Sequence, residues 1–233
     1  GTPATTTWMQ AFGKAVALYH MNVSAPSADS SLFTMYPNSL VGTLQTDAGK
    51  FGTSLNLTGT VFPTVTDNVI QDIMTTQMTV ESFLKLKTLP TGYASIVSKW
   101  GNSGQFSWEF GIRYSSNTYK LYLKIGYNLG KSSKTIFSSA LTAAQVSALT
   151  AGFNHVAATW NSGAIAFYFG GTLINTTSTT VTSTLFKTTI PPLRIGTNIG
   201  GNKLNGWLDE LRISQTVRWS SSFTVPTAEY SGD

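Results

Sequence analysis

Short runs of strand length recur roughly every eight to twelve residues along this chain, with turn-forming residues between them. The runs at 51–57, 79–86 and 164–169 alternate along the chain with the two-residue period of a strand. The pattern lacks the strand–helix–strand alternation of a parallel α/β sheet. This spacing predicts a large antiparallel sandwich or barrel.

Two neighbouring runs, 106–114 and 119–125, are joined by Ser115–Thr118, and we expect a β-hairpin there. A helical period occurs at 141–149, with Thr142 as the N-cap and Gly152 just past the end. The other runs that we expect to form strands are 16–21, 94–99, 154–160, 172–174, 193–196 and 204–214.

Threonine and serine take the place of charged residues in this sequence. Together they number 61 of 233 residues, while charged residues are only 11%. Threonine is β-branched and suits a half-exposed pleated surface, whereas helical surfaces favour Glu, Lys and Ala. The composition therefore predicts strands whose outer faces carry hydroxyl groups.

Several classes of site are excluded by what the chain lacks. It has no cysteine, which excludes disulfides, thiolate metal sites and a cysteine nucleophile. The formal net charge is +5, but lysine and arginine are scattered singly and form no basic run, so we expect no nucleic-acid partner. Because no apolar run approaches the roughly 18 residues that span a bilayer, we expect no membrane insertion.

The start of the chain differs from the rest. Residues 1–15 are rich in threonine and precede the first strand, which predicts an extended arm or linker. Residues 16–233 show no repeat and no internal linker, which predicts a single sandwich domain. An extended arm of low charge can add to the sheet edge of a neighbouring subunit.

Short motifs are spread over almost the whole chain. The most specific is LNGWLDELRIS at Leu204–Ser214; the others are Ala17–Asn22, Lys50–Leu55, Met78–Phe83, Ile96–Lys99, Phe153–Trp160, Val217–Trp219 and Phe223–Pro226. In this order they resemble the laminin-G-like modules of the concanavalin A-like lectin/glucanase superfamily. They look most like the variants found in bacteriophage virion and tail proteins and in secreted bacterial proteins.

The resemblance implies an all-β antiparallel sandwich, a jelly roll of the concanavalin A type, with one short connecting helix. This fold carries lectins, hydrolases and structural modules, so two functions stay open. The first expectation is a virion structural protein (a head decoration, fibre or tail module), located in the virion or outside the cell. Its partners would be other virion proteins or copies of itself, with host-surface glycans as secondary contacts. The alternative is a carbohydrate-binding module of a secreted bacterial enzyme or adhesin.

The acidic residues do not form a catalytic set. Retaining glycosidases of the superfamily place several carboxylates at alternating strand positions, whereas Glu81 and Glu109 are isolated in apolar strands. Glu210 and Arg212 share a strand face, which predicts an ion pair between them. His155 lies inside a strand and is expected to be packed and hydrogen-bonded. We therefore expect no enzyme activity.

Aromatic and amide side chains near strand ends suit a sugar ligand, because rings stack on sugar faces and amides bind hydroxyl groups. Trp100 adjoins a Gly- and Asn-rich loop, Tyr114 and Tyr119 flank the hairpin turn, and Tyr127 and Asn128 occupy another loop. These five residues are the predicted glycan contacts.

No cofactor is expected from the sequence, with calcium as the one exception considered. Calcium takes six to eight oxygen ligands, and here only Asp209 and Glu210 are adjacent acids. Neighbouring residues on a regular strand point to opposite faces, so both cannot reach one ion. Asn22 stands where relatives carry Asp. If calcium binds, we expect Asp209 to be the carboxylate ligand.

Overall fold

A computed structural model describes residues 15–21, 40–41, 45–58, 62–66, 76–182 and 191–231 of the protein. Most of the predicted arm at 1–15, and the Asn22 position, lie outside the described residues. Ala15 already belongs to the first strand.

Two antiparallel sheets form the structure. Sheet A has the strand order β13-β12-β11-β6-β15-β4-β3, and β1 also pairs with β15. Its strands are β1 (Ala15–Tyr19), β3 (Thr46–Ala48), β4 (Thr53–Asn56), β6 (Gln77–Leu86), β11 (Asn154–Asn161), β12 (Ala164–Phe169), β13 (Thr172–Ser178) and β15 (Gly206–Ser214). Sheet B has the order β10-β9-β8-β7-β14-β5-β2. Its strands are β2 (Leu40–Val41), β5 (Thr64–Val65), β7 (Tyr93–Trp100), β8 (Phe106–Ser115), β9 (Thr118–Tyr127), β10 (Ser132–Phe137) and β14 (Leu193–Ile195).

The predicted hairpin and helix are both confirmed, with small shifts in their ends. β8 and β9 pair in register around Ser116 and Asn117, whose φ angles of 50° and 57° fit a two-residue hairpin turn. In the described part of the chain the one helix is α1 (Ala143–Ala151), two residues later than expected. Thr142 caps it through a capping box with Gln145. No helix among the described residues has the length and hydropathy to cross a bilayer.

The core lies between the sheets and is built by strand alternation. In β8, the alternate residues Trp108, Phe110 and Ile112 are fully buried in the main hydrophobic cluster. The same cluster contains residues of sheet A such as Val80 and Leu84. This packing confirms the predicted all-β sandwich. The strand β10 was not predicted, because its first residues, Ser132–Lys134, are polar.

The C-terminal residues 215–231, which we call the strap, cover part of the outer face of sheet A. The Tyr168 hydroxyl donates to the Trp219 carbonyl (2.8 Å), and the Phe223 amide donates to the Gly171 carbonyl (2.9 Å). The Tyr230 amide donates to the Glu210 carboxylate at 2.7 Å. This side of the sandwich is therefore closed by the protein's own chain.

A fully buried carboxylate fixes the strap to sheet A. Glu81, in the centre of β6, receives hydrogen bonds from Arg212 Nε (2.8 Å) and from the Trp219 indole (2.8 Å). His155 Nε2 lies 3.1 Å from Oε2, the carboxylate oxygen that also accepts from Trp219. His155 is itself buried against Phe83, so it is packed and hydrogen-bonded as the sequence predicts.

The ion pairs differ from the sequence prediction. Arg212 was expected to pair with Glu210, whereas the contacts that the structure shows join Arg212 to Glu81 and Glu210 to His20 (2.7 Å). The cause is a β-bulge between Asp209 and Arg212, where Glu210 has a φ of 53°. The bulge breaks the two-residue alternation on which the prediction rested.

We expect Glu81→Gln to destabilise the protein by about 3–5 kcal/mol at pH 7, because it leaves buried cationic and donor groups without their partner. Burial alone would raise the pKa of Glu81, but His155, Arg212 and Trp219 outweigh it and lower the pKa to about 2. The stabilisation is therefore present above the ordinary carboxyl pKa and is lost as the pH falls from about 4.5 towards 2. Urea unfolding of wild type and variant at pH 7 and pH 3 measures both effects.

Glu229→Gln serves as the control, because it neutralises an exposed carboxylate in the same strap. A surface change of this kind is expected within about 0.5 kcal/mol of the wild type. Equal losses in the two variants, or a Glu81→Gln loss that does not shrink at pH 3, would contradict the role given to Glu81.

Candidate functional site

The outer face of sheet B carries polar and aromatic side chains. Because Trp108, Phe110 and Ile112 point into the core, the intervening β8 residues Glu109 and Arg113 face outwards. Their cross-strand neighbours on β9 are Lys124 and Lys120, and Gly111 lies opposite Tyr122. The face thus presents a buried acid flanked by aromatic rings and cations.

Gly111 shapes this face by lacking a side chain. A Cβ atom there would lie 2.7 Å from the Tyr122 hydroxyl. The Tyr122 side chain therefore passes close over β8, and its hydroxyl donates to Glu109 Oε1 at 2.6 Å. Burial and the neighbouring Glu109 raise the pKa of Tyr122 well above its ordinary value, so the phenol keeps the proton that it donates.

Glu109 retains one free acceptor. Its Oε1 accepts from Tyr122 and from Asn198 Nδ2 (2.8 Å), on the loop between β14 and β15. Its Oε2 is buried and has no hydrogen-bond partner among the described residues. A buried acceptor without a donor costs about 1–3 kcal/mol, so this position favours a ligand that donates a hydrogen bond.

Two cavities meet at this point, and we call them together the sheet B groove. The central cavity, about 140 Å³, is lined by Tyr93, Glu109, Tyr122, Lys124, Thr135, Asn198 and Asn202. A second cavity of about 450 Å³ shares Tyr93 and Asn202 with it and continues between the β6–β7 turn and the β14–β15 loop. The Tyr93 ring packs edge-on against Tyr122, with their centroids 5.1 Å apart.

The predicted glycan contacts do not form one site. Trp100 and Phe106 stack at one end of β8, whereas Tyr114 and Tyr119 pair at the other end with their ring centroids 4.7 Å apart. The two ends are eight residues apart, or about 26 Å at roughly 3.3 Å per residue. A single small sugar cannot contact both.

Burial also changes the part that each predicted ring can play. The Trp100 ring is stacked on Phe106 and has the Lys124 ammonium 4.2 Å from its centroid, which leaves no ring face for a sugar to stack on. Tyr119 and Tyr127 pack against the main core cluster, and the Tyr114 hydroxyl donates to Asn117 (2.9 Å). Asn128 is exposed and lies in the β9–β10 turn with a φ of 53°.

The sequence analysis missed Glu109 and Asn198 as site residues. The signal for Glu109 was available, because the predicted hairpin fixes the register of β8 against β9 and therefore places Glu109 beside Lys124 on the outer face. Asn198 carried no comparable signal, since its contact depends on a loop 89 residues away in sequence.

Asp209, the predicted calcium ligand, lies in the bulge of β15. Its Oδ2 accepts from the Phe51 amide at 2.9 Å, as expected for a carboxylate that binds loop backbone. Burial raises the pKa of Asp209 to about 7. In the described part of the chain, no three acidic or histidine side chains are grouped closely enough to hold a metal ion. Calcium binding at Asp209 stays a prediction.

Comparison with known proteins places this geometry among lectin-like sandwiches. A family model, Laminin_G_3, described as the concanavalin A-like lectin/glucanases superfamily, matches residues 59–221. No curated protein matches the chain.

Solved structures show the same fold at low sequence identity. Domain 4 of AbnA, an extracellular arabinanase of Geobacillus stearothermophilus solved with arabinotriose, is 19% identical with a TM-score of 0.63, covering 86% of this chain and 92% of that one. The binding domain of botulinum neurotoxin serotype G is 12% identical with a TM-score of 0.64, covering 87% of this chain and 48% of that one. The serotype D ligand-binding domain, solved with N-acetylneuraminic acid, is 14% identical with a TM-score of 0.57, over 87% and 48%. The chain thus spans about half the length of the toxin domains.

The raised pKa of Asp209 leads to a pH prediction for protein freed of divalent cations with EDTA. Between about pH 4 and about pH 7 the folded carboxyl keeps a proton that the unfolded chain releases. The unfolding free energy of the wild type should therefore fall, relative to that of Asp209→Asn, as the pH rises through this window. Urea unfolding of both proteins measures the difference, and a difference that does not vary with pH would contradict the assignment.

Added Ca²⁺ tests the metal prediction separately. Binding through Asp209 would raise the unfolding free energy of the wild type at pH 8 and leave that of Asp209→Asn unchanged. No stabilisation of either protein would end the calcium expectation.

Proposed function

Because the chain belongs to the Laminin_G_3 family of the concanavalin A-like lectin/glucanases superfamily, we propose that it is a non-catalytic carbohydrate-binding domain with its site in the sheet B groove. The observation that carries this proposal is the buried Glu109 Oε2, which no described residue hydrogen-bonds and which lines the same cavity as Tyr93 and Asn202. A sugar supplies hydroxyl donors for the carboxylate, further hydroxyls for the amides and an apolar ring face for tyrosine.

The two outer faces of the sandwich differ in a way that supports this location. The strap occupies sheet A, where Trp219, Phe223 and Tyr230 pack on the strands. The sheet B groove instead combines aromatic rings with a few converging polar groups in a concave surface. That combination is typical of small-molecule binding sites.

Two structural neighbours support the proposal that the ligand is a carbohydrate. The arabinanase domain was solved with arabinotriose and the serotype D toxin domain with N-acetylneuraminic acid. For the present chain the ligand is proposed from the chemistry of its own groove.

The small number of carboxylates in the groove supports a protein that binds a glycan without cleaving it. Canonical glycoside hydrolysis requires two carboxylates that flank the scissile bond. Among the described residues that line the two cavities, Glu109 is the one carboxylate, and its Oε1 already accepts hydrogen bonds from Tyr122 and Asn198.

The carbohydrate-binding alternative of the sequence analysis is thus the one that we adopt. The virion role, the virion partners and the location in a virion or outside the cell rest on the sequence resemblance and stay predictions.

A glycan array followed by calorimetry of the best ligand tests the proposal. We expect Glu109→Gln and Asn202→Ala each to weaken binding about tenfold or more, because each removes a polar contact in the groove. Wild-type protein at high concentration should release no reducing sugar from the ligand.

Tyr114→Ala is the matched control, since Tyr114 lies at the far hairpin end, and it should bind as the wild type does. Absence of binding to every glycan would overturn the proposal. Loss of binding in Tyr114→Ala alone would move the site to the hairpin, and cleavage that Glu109→Gln abolishes would make the protein an enzyme.

A further inference from the structure

A second cluster on the outer face of sheet B adjoins the groove and is built around Arg113. The guanidinium carbon lies 4.6 Å from the Tyr93 ring centroid and 5.2 Å from that of Phe137. These rings hold the side chain in place by cation–π contact. The Arg113 side chain forms no hydrogen bond or ion pair with any described residue, so the N–H groups of its guanidinium are available to an incoming acceptor.

The surroundings of Arg113 suit an anion. A cavity of about 120 Å³ is lined by Arg113, Ser115, Ser116, Thr118, Lys120 and Phe137. Lys120 is the direct cross-strand neighbour of Arg113. Two cations and three hydroxyl-bearing residues thus line one cavity, and none of its described lining residues is an acid. The planar guanidinium of arginine can donate two parallel hydrogen bonds to a pair of oxygens of a carboxylate or a sulfate.

The distribution of charge along the chain points the same way. Residues 82–208 contain eleven lysines and arginines and a single acid, Glu109, while the other nine acids lie outside this stretch. Scattered along the sequence, these cations form no basic run. The fold brings Arg113, Lys120 and Lys124 onto one face, because their strands β8 and β9 are neighbours in sheet B. Such a field attracts anionic ligands.

The Arg113 cavity lies next to the groove. Tyr93 lines the central cavity and also contacts Arg113. Arg113 and Glu109 are four residues apart on the same face of β8, or about 13 Å at roughly 3.3 Å per residue. One oligosaccharide can therefore contact both, with a neutral sugar at Glu109 and a charged group at Arg113.

We propose that Arg113 and Lys120 form an anion subsite that selects glycans carrying a carboxylate or a sulfate ester. This inference rests on the proposed carbohydrate binding and adds its ligand class. Arg113 binds the anionic group, and the charge of Lys120 adds electrostatic attraction to it. Tyr93 connects the subsite to the groove, because its ring contacts Arg113 and also lines the central cavity.

Matched ligand pairs test the subsite by calorimetry. An oligogalacturonate and its methyl ester differ in the carboxylates, and a heparin tetrasaccharide and its desulfated form differ in the sulfates. We expect the anionic member of at least one pair to bind about tenfold more tightly than its neutral partner, as charge-assisted hydrogen bonds allow. The pair that shows the preference identifies the source of the charge.

Three variants locate the effect. Arg113→Gln should abolish the anion preference and leave the affinity for the neutral glycan within about twofold, because only the charged contact is lost. Lys134→Gln makes the same charge change on an exposed residue of β10 that does not line the cavity, and it should keep the preference. Arg113→Lys retains the positive charge but lacks the planar guanidinium, so it should keep part of the anion preference. Thermal unfolding checks that each variant is folded.

The outcomes separate the two proposals. Equal affinity for anionic and neutral partners, or equal losses in Arg113→Gln and Lys134→Gln, would overturn the anion subsite. Loss of neutral-glycan binding in Arg113→Gln would show that Arg113 has a structural role, and this result would also overturn the anion subsite. Equally tight, Arg113-dependent binding of single-stranded DNA would overturn the glycan assignment. If Glu109→Gln leaves neutral-glycan binding unchanged, the groove proposal fails while a persisting anion preference supports the subsite.

Discussion

The buried carboxylate of Glu81 determines which side of this sandwich is available for function. An unpaired charge in the interior is costly, so Glu81 requires the donors that surround it: His155 from β11, Arg212 from β15 and Trp219 from the strap. Two of these donors come from sheet A and the third from the last residues of the chain. Their convergence holds the strap on the sheet, and the part of the outer face of sheet A that the strap covers becomes part of the interior.

The other sheet uses the same kind of residue differently. Glu109 is as buried as Glu81, but one of its oxygens has no partner among the described residues, and cavities lie beside it. A saturated carboxylate stabilises a contact within the chain, whereas an unsaturated one favours a contact from outside. This contrast is the physical reason for placing the binding site on sheet B and not on the strap side.

Local pattern predicted most of the fold and only part of the site. Alternation and turn residues predicted the β8–β9 hairpin, and that hairpin already placed Arg113 opposite Lys120. The aromatic residues predicted as glycan contacts lie instead at strand ends, where Trp100 is buried and the tyrosines pack on the core or on each other. Regular alternation failed at Glu210, because a bulge is not visible in the sequence. Contacts of Glu81 and Glu109 with residues about 75 to 140 positions away had no local signal at all.

The most direct test of the account is a map of where a glycan binds. Amide chemical shifts of the labelled protein, followed while the best array ligand is titrated in, report contacts residue by residue. The account predicts that the largest changes cluster at Tyr93, Glu109, Tyr122 and the loop that carries Asn198. Changes centred on the strap, or on Tyr114 and Tyr119 at the hairpin end, would contradict it.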